Sequence, residues 1–224
     1  MTETLQLLST HYPWVLLIFF FCLGACLGSF FNVCIHRIPE DRSVVKPGSR
    51  CLCGVPIAWF DNLPVLSWFL LRGKARCCGQ SFSIRYPLVE ALTGALFLLS
   101  WWLYGHDNPI FAFGVMILCS ILIPAVFIDL DHMLIPDVFS IGGAMAGVLF
   151  SLFFPALHGI EGSGLVAGFF GGMESILGLL VGSATIYWIG ALGEMALRKE
   201  AMGEGDVKFL GCIGAFCGWQ GALC

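Results

Sequence analysis

Long apolar runs separated by short polar stretches follow one another along the whole chain. Six of these runs predict membrane helices, because a helix needs about 20 mainly apolar residues to cross the hydrocarbon core of a bilayer. The predicted segments cover residues 14–35, 88–104, 110–128, 138–154, 175–197 and 207–224. The glycine-rich stretch 156–174 is interpreted as an extracytoplasmic loop or a re-entrant piece. The pattern therefore predicts an all-α polytopic membrane protein with about six transmembrane helices.

Composition supports this fold class. Of the 224 residues, 58% are hydrophobic and 12% are charged, whereas about 25% of the residues in soluble domains are charged. In the first run, Gly24 and Gly28 have the spacing of a helix-packing motif. We interpret that run as a retained anchor, because the residues before it contain Glu3 and no Lys or Arg, unlike a cleavable signal.

Basic residues are concentrated in one stretch. Eight of the eleven lysines and arginines lie between residues 37 and 86, and the positive-inside rule therefore predicts that this stretch is cytoplasmic. Counting crossings from there places the N-terminus outside and the polar stretches 129–137 and 203–208 on the cytoplasmic side. We expect the cations to contact anionic membrane lipid, and we expect no nucleic-acid partner.

Four cysteines occur in the same basic stretch: Cys51, Cys53, Cys77 and Cys78. A reducing cytosol favours metal binding over disulfides, so these side chains are candidate metal ligands. Adjacent cysteines usually point apart, and Cys77-Cys78 is therefore expected to be a poor bidentate pair. The alternatives are ordinary cysteines or a redox pair. The predicted domains are an N-terminal helix (1–36), a cytoplasmic cysteine-containing domain (37–86) and a membrane-embedded domain (87–224), which we expect to be truncated at Cys224.

An acidic motif, Gly203-Glu204-Gly205-Asp206-Val207-Lys208, stands where an apolar run resumes. An ionisable group at a membrane boundary is costly, so it is a functional-site hypothesis by default. Gly203 and Gly205 leave room for another backbone or a substrate strand to approach. Hydrolysis by Asp206 needs a second acid, and the candidates lie in the polar stretch 129–137, on the same predicted side of the membrane.

Two aspartates compete for that second position. Asp129 and Asp131 cannot share a helix face, because residues two apart point about 200° from one another. Asp137 is instead predicted to start a helix, where its charge satisfies free N–H groups. Two adjacent carboxylates share a proton, so the ionised one can activate a water while the protonated one polarises the scissile carbonyl. The alternative is a set of interfacial acids, each solvated at the headgroup level.

Six motifs occur in an order that matches one protein family along almost the whole chain: Gly28–Val33, Trp59–Trp68, Leu70–Lys74, Ser83–Glu90, Ile128–Asp137 and Gly203–Lys208. Through them the chain resembles the bacterial type IV prepilin peptidases, which are GxGD-type membrane aspartic proteases. The resemblance implies cleavage of a basic leader from type IV prepilins or type II secretion pseudopilins, at the cytoplasmic face of the inner membrane. It also implies N-methylation of the new N-terminus with S-adenosylmethionine, for which the sequence assigns no binding site.

The resemblance implies a role for particular residues. Asp129 and Asp206 match the catalytic pair, with Asp131 as the alternative to Asp129, and Gly203, Gly205 and Lys208 are supporting residues of the second motif. The four cysteines match a structural Zn²⁺ site between the first two membrane helices. Here the chain departs from the usual two Cys-x-x-Cys pairs, because Arg50 and Ala75 occupy the expected positions of the first ligands.

Other classes of protein compete with this interpretation. A presenilin-like intramembrane protease typically carries a Tyr-Asp motif, which this sequence lacks, and its Pro-Ala-Leu lies beside the second acid. Here Pro155-Ala156-Leu157 lies far from Asp206. A transporter or an assembly scaffold could use the acids for proton or ion coupling. The third alternative is a decayed, non-functional paralogue.

Overall fold

The structure is a computed structural model that describes residues 12–51, 53–162, 164–198 and 202–223. The interpretation of the extreme N-terminus and the expected truncation at Cys224 fall outside these residues. Within them, seven α-helices form the fold: α1 (Pro13–Arg37), α2 (Leu66–Leu70), α3 (Arg85–Tyr104), α4 (Pro109–His132), α5 (Asp137–Phe153), α6 (Leu165–Leu197) and α7 (Glu204–Gly221). The described part contains isolated β-bridges but no strand, so the all-α prediction is confirmed.

Six of the helices correspond to the six predicted membrane segments. Four of them, α1, α3, α4 and α6, are long and apolar enough to cross a membrane. Helix α5 is apolar but has only 17 residues. Helix α7 has 18 residues and is interrupted at Gly218, where φ is 70° and ψ is 175°. The chain is therefore a polytopic helical membrane protein.

The predicted loop between the fourth and fifth segments is wrong over residues 165–174. Helix α6 begins at Leu165 and has 33 residues. Its first turns pack closely on the end of α5, where Gly168 lies against the Leu152 carbonyl and Gly171 against the Ser151 carbonyl. Glycine has poor intrinsic helix propensity, but a helix face without side chains permits this contact, so tertiary packing overrides the local preference.

The chain divides into two compact units, residues 1–106 and 107–224. In the first unit, α1 packs along α3. A Cβ atom on Gly24 would lie 2.7 Å from the Thr93 carbonyl oxygen, and one on Gly28 would lie 2.7 Å from the Glu90 Cα. The prediction that Gly24 and Gly28 form a helix-packing face is therefore confirmed.

The second unit is built around the contact between α6 and α7, with α5 packed on both helices. Gly178 of α6 and Gly214 of α7 face each other, and each lacks room for a Cβ atom beside the other's carbonyl oxygen. Ser175 extends this contact, because its buried hydroxyl donates to the Ala215 carbonyl over 2.7 Å. Backbone approach of this kind positions α7, whose first turn carries the acidic motif.

We expect Gly178→Ala to destabilise the protein by about 1–3 kcal/mol, because a methyl group would force the α6 and α7 backbones apart. Gly142→Ala is the matched control, since open space surrounds Gly142 on α5 and alanine has the better helix propensity. Thermal unfolding of the purified protein in detergent measures both effects. Equal melting temperatures for Gly178→Ala and the wild type would contradict the close contact.

Candidate active site and cysteine cluster

The acidic motif lies at the start of α7. Gly203 precedes the helix in an extended conformation, and its N–H donates to the Asp206 Oδ2 over 3.3 Å. The carboxylate thus satisfies one free N–H group at the helix start, where the helix dipole also favours negative charge. Asp206 is exposed. The local sequence therefore orients an accessible carboxylate at one end of the second unit.

The start of α7 lies against the connection between α4 and α5. The Lys208 ammonium donates to the Asp137 Oδ1 over 2.9 Å, and a Cβ atom on Gly205 would lie 3.5 Å from the Ile135 Cβ. Asp137 is the first residue of α5, which confirms its predicted position at a helix start. These contacts link the acidic motif of α7 to the polar stretch that follows α4.

Asp129 lies one turn before the end of α4. Its carbonyl oxygen accepts the Met133 N–H over 2.8 Å, and Met133 ends the helix in a left-handed conformation with φ of 54°. The chain then reverses into α5 through residues 133–136. Asp129 is half-buried, whereas Asp131 is exposed. The two aspartates thus differ in environment, as their separation by two positions on a helix requires.

Asp129 and Asp206 consequently lie at the same end of the second unit. Both flank the connection 133–136, one through the end of α4 and the other through the start of α7. In the part of the chain that the structure describes, no direct hydrogen bond joins their carboxylates. Carboxylates gathered at one end of a helical unit can hold and exchange protons with a water or a peptide that enters between them.

The four predicted metal ligands lie together in the first unit. The Sγ atoms of Cys51 and Cys78 are 3.5 Å apart, those of Cys53 and Cys77 are 3.3 Å apart, and all four lie within 4.8 Å of one another. The expectation that Cys77 and Cys78 form a poor pair is therefore wrong. Each contacts a different cysteine of the other loop, so both adjacent side chains reach one centre.

Tight turns produce this convergence. The Gly54 N–H donates to the Cys51 carbonyl over 2.8 Å, and the Gly79 N–H donates to the Ala75 carbonyl over the same distance. Both glycines have positive φ, 84° and 70°, a conformation that glycine adopts without steric cost. Each loop therefore folds back on itself and presents its sulfurs on one side.

The sulfur positions fit a metal ion. Sulfurs about 2.3 Å from a tetrahedral Zn²⁺ are about 3.8 Å from one another, close to the spacing here. Without a metal, the pKa of the Cys51 thiol is lowered to about 7, chiefly because the Cys53 N–H donates to it. The pKa of Cys77 is raised to about 12, chiefly because its thiol donates to Cys51. A cation bound among the sulfurs would favour their thiolate forms, and the cluster can hold one.

An ion pair supports the second cysteine loop. The Arg76 Nε donates to the Asp61 Oδ2 over 2.9 Å, and its terminal nitrogen donates to Oδ1 over 2.7 Å. Asp61 belongs to the 3-10 helix Trp59–Asn62, and its side chain is only 12% exposed. Because Arg76 directly precedes Cys77, this bidentate pair restrains the loop that carries two of the sulfurs.

We expect Asp61→Asn to weaken metal binding by about tenfold, the lower end of the effect of substitutions around metal ligands. Competition with a chromophoric chelator measures the affinity. Glu40→Gln is the matched control, because Glu40 pairs with Arg42 on the surface, over 3.1 Å. If Asp61→Asn bound metal as tightly as the control, the ion pair would have no part in holding the loop.

A large cavity lies in the first unit, and sequence reasoning missed it. Its volume is about 1210 Å³, and its walls come from the end of α1, the cysteine-containing stretch and the start of α3. The carboxylate of Glu90 on α3 lines it, although Glu90 is only 9% exposed. A charged residue inside an apolar run is a signal that could have indicated this cavity. In the sequence, however, Glu90 is named only as the last residue of the motif Ser83–Glu90.

Fold and site together define a class of protein: a polytopic helical membrane protein with two acidic motifs at one end of a helical unit and a separate four-cysteine cluster. Residues 22–104 match the family model of the bacterial peptidase A24 N-terminal domain. Residues 116–224 match that of the type IV leader peptidase family. The chain belongs to this peptidase family, so the predicted resemblance is confirmed, and neither the presenilin-like nor the scaffold alternative is favoured.

Individual relatives support the assignment to this family. The chain is 38% identical over 207 residues to the prepilin leader peptidase/N-methyltransferase of Myxococcus xanthus, covering 92% of this chain and 57% of that protein. It is 38% identical over 233 residues to the protein of the same name from Klebsiella pneumoniae, covering 98% and 94%. The Neisseria gonorrhoeae protein of that name is 34% identical, with 88% and 72% covered. None of the solved structures gives a significant match.

Proposed function

We propose that this chain is a prepilin leader peptidase that removes the basic leader from type IV prepilins or type II secretion pseudopilins. The observation that carries the proposal is the match over 98% of the chain to a relative named for this activity. The position of Asp129 and Asp206 at one end of the second unit supports it, because peptide hydrolysis by carboxylates requires two of them at one place.

Asp129 and Asp206 form the catalytic pair in this proposal. One carboxylate is ionised and takes a proton from the attacking water, while the other is protonated and polarises the scissile carbonyl. The tetrahedral intermediate then collapses, and a carboxylic acid delivers the proton to the leaving amine. We take Asp129 and not Asp131 as the partner of Asp206, because Asp129 is half-buried beside the connection 133–136, whereas Asp131 is exposed at the end of α4.

The supporting residues position the catalytic carboxylates and the substrate. Gly203 and Gly205 present no side chain beside Asp206, which leaves space for the extended strand around the scissile bond. Lys208 fixes the start of α7 through its pair with Asp137. Asp131, exposed at the end of α4, is placed to attract the basic leader. These assignments are predictions that variants at each position can test.

We propose that the protein lies in the bacterial inner membrane with the active site and residues 37–86 facing the cytoplasm. The concentration of cations in that stretch supports the orientation, and the same cations contact anionic lipid. Before cleavage, the leader of the substrate is attached to the cytoplasmic end of its apolar helix, so the scissile bond lies at this face. The division into domains 1–36, 37–86 and 87–224 belongs to the same proposal.

Two cofactors complete the proposal. The cysteine cluster holds one structural Zn²⁺ through Cys51, Cys53, Cys77 and Cys78, which stabilises the cytoplasmic domain and takes no part in hydrolysis. The second activity is N-methylation of the new N-terminus with S-adenosylmethionine. It is supported by the name that these relatives carry, prepilin leader peptidase/N-methyltransferase.

The experiment that tests the peptidase is incubation of membranes containing this chain with a purified prepilin. Mass spectrometry of the product should show loss of the leader, and a methylated N-terminus should appear when S-adenosylmethionine is added. Membranes without the chain are the control. If the prepilin stayed intact while the protein was present in the membrane, the peptidase proposal would fail.

A further inference from the structure

The wall of the cavity in the first unit includes polar as well as apolar side chains. Glu90 lies there on α3, and its Oε2 accepts the Val65 N–H over 2.7 Å. Ser29 of α1 lines the same cavity. Nearby, the buried Asn32 of α1 donates to the Tyr86 carbonyl over 3.1 Å. A buried carboxylate inside an apolar segment is costly, and it marks a functional site by default.

The backbone that Glu90 holds is itself strained. Val65 has φ of 62° and ψ of −51°, and the Leu66 N–H donates to the Pro64 carbonyl over 2.6 Å. These values describe the strained form of the γ-turn, which a β-branched residue rarely adopts. Strain of this kind persists where the surrounding structure fixes the conformation, and it concentrates at functional sites.

The walls of the cavity offer three kinds of chemistry. Aromatic rings of Phe60, Trp68 and Tyr86 line it, together with the cations Arg37 and Arg50 and the carboxylate of Glu90. Asp61, also in the wall, is neutralised by Arg76. A ligand that suits all three would combine an aromatic base, a carboxylate and a positive charge.

We propose that this cavity binds the methyl donor S-adenosylmethionine, with the Glu90 carboxylate facing the cationic sulfonium and ammonium groups. The inference rests on the proposed function, and it assigns the site for the second activity. The adenine would stack on the aromatic wall, and a cation such as Arg50 would pair with the donor's carboxylate. A donor held in this way would have its reactive methyl group near the Glu90 carboxylate.

The size of the cavity agrees with a two-substrate reaction. Cavities for small organic ligands are about 300–1,000 Å³, so 1210 Å³ leaves space for the N-terminal residue of the acceptor peptide. In the transfer, the lone pair of the neutral amine forms a bond to the methyl carbon, the carbon–sulfur pair stays on sulfur, and the amine releases a proton to water. The other cavity described, near His158, is about 320 Å³, at the lower limit for such a ligand.

The test measures donor binding directly. Tritiated S-adenosylmethionine is equilibrated with the purified full chain in detergent without any prepilin, and bound label is counted. We expect Glu90→Gln to weaken binding at least about tenfold, since it removes a charge-assisted contact. Glu194→Gln, which changes an exposed carboxylate of α6, should bind as the wild type does. Ultraviolet crosslinking of the labelled donor should modify peptides within residues 26–90.

A second variant distinguishes a purely structural role of Glu90 from direct contact with the donor. If Glu90 only holds the turn at Val65, then Val65→Gly should restore donor binding in the Glu90→Gln background, because glycine tolerates positive φ. We expect no rescue. Wild-type affinity in Glu90→Gln, rescue by Val65→Gly, a wild type that binds no donor, or crosslinks in the second unit would each overturn the proposal. Leader cleavage, assayed separately, would be unaffected by such a failure.

Discussion

Replacing Asp206 by Asn should abolish leader cleavage, with a loss of at least about 10²–10⁴-fold. The side chain keeps its size and can still accept the Gly203 N–H, so the start of α7 remains intact. The amide can neither take a proton from water nor donate one as an acid does. We expect the same loss for Asp129→Asn, because each carboxylate depends on the other. Cleavage of a purified prepilin by reconstituted enzyme measures the rate.

Two further variants make this prediction discriminating. Asp107→Asn changes an exposed aspartate before the start of α4, at the far end of that helix from Asp129, and it should leave the rate unchanged. Asp131→Asn tests the competing assignment and should retain most of the activity. If Asp131→Asn were inactive while Asp129→Asn cleaved normally, the assignment of the pair would be wrong. Full activity of Asp206→Asn would remove the two-aspartate mechanism altogether.

Loss of the metal should unfold the cysteine-containing stretch. Metal binding by structural zinc sites contributes about 10–16 kcal/mol in small domains. The described residues between α1 and α3 contain only one short α-helix, a 3-10 helix and two isolated β-bridges. We therefore expect Cys77→Ser to release the metal and to expose this stretch to proteases. Elemental analysis and limited proteolysis of the purified protein provide the two measurements.

The control for the cysteine variant is Cys22→Ser. Cys22 is an exposed cysteine of α1, outside the cluster, and its replacement should change neither metal content nor proteolysis. Wild-type protein purified without chelators should contain about one Zn²⁺ per chain. Absence of metal from a wild-type protein that resists proteolysis would show that hydrogen-bonded thiols, not an ion, hold the loops together.

Long apolar segments were the most predictable part of the fold. The bounds of α1 and α3 lie within three residues of those expected from the runs 14–35 and 88–104. The start of α6 could not be predicted, because ten residues rich in glycine gave a weak hydropathy signal. Their helix is stabilised by contact with the end of α5, where Gly171 lies against the Ser151 carbonyl, and such tertiary packing is absent from a one-dimensional pattern.

The type and spacing of residues identify candidate site residues, but they do not predict which of these residues contact one another in the folded chain. The four cysteines were identified, but their convergence depends on positive φ at Gly54 and Gly79, which brings loops 24 residues apart onto one centre. Glu90 was overlooked because nothing in the local sequence indicates a partner. Its bond to Val65 joins positions 25 residues apart, and only the packed structure shows it.

The length of α6 has a consequence for how the protein sits in lipid. A helix of 33 residues is about 50 Å long, whereas the hydrocarbon core is about 30 Å thick. At the usual tilt of about 20°, the core accommodates about 21 residues, so about a dozen extend into the headgroup layers and the water beyond. The exposed apolar side chains at both ends of α6, such as Leu165 and Leu197, then resist further exit. This hydrophobic mismatch makes local bilayer thickness part of the environment that sets the depth of the helix.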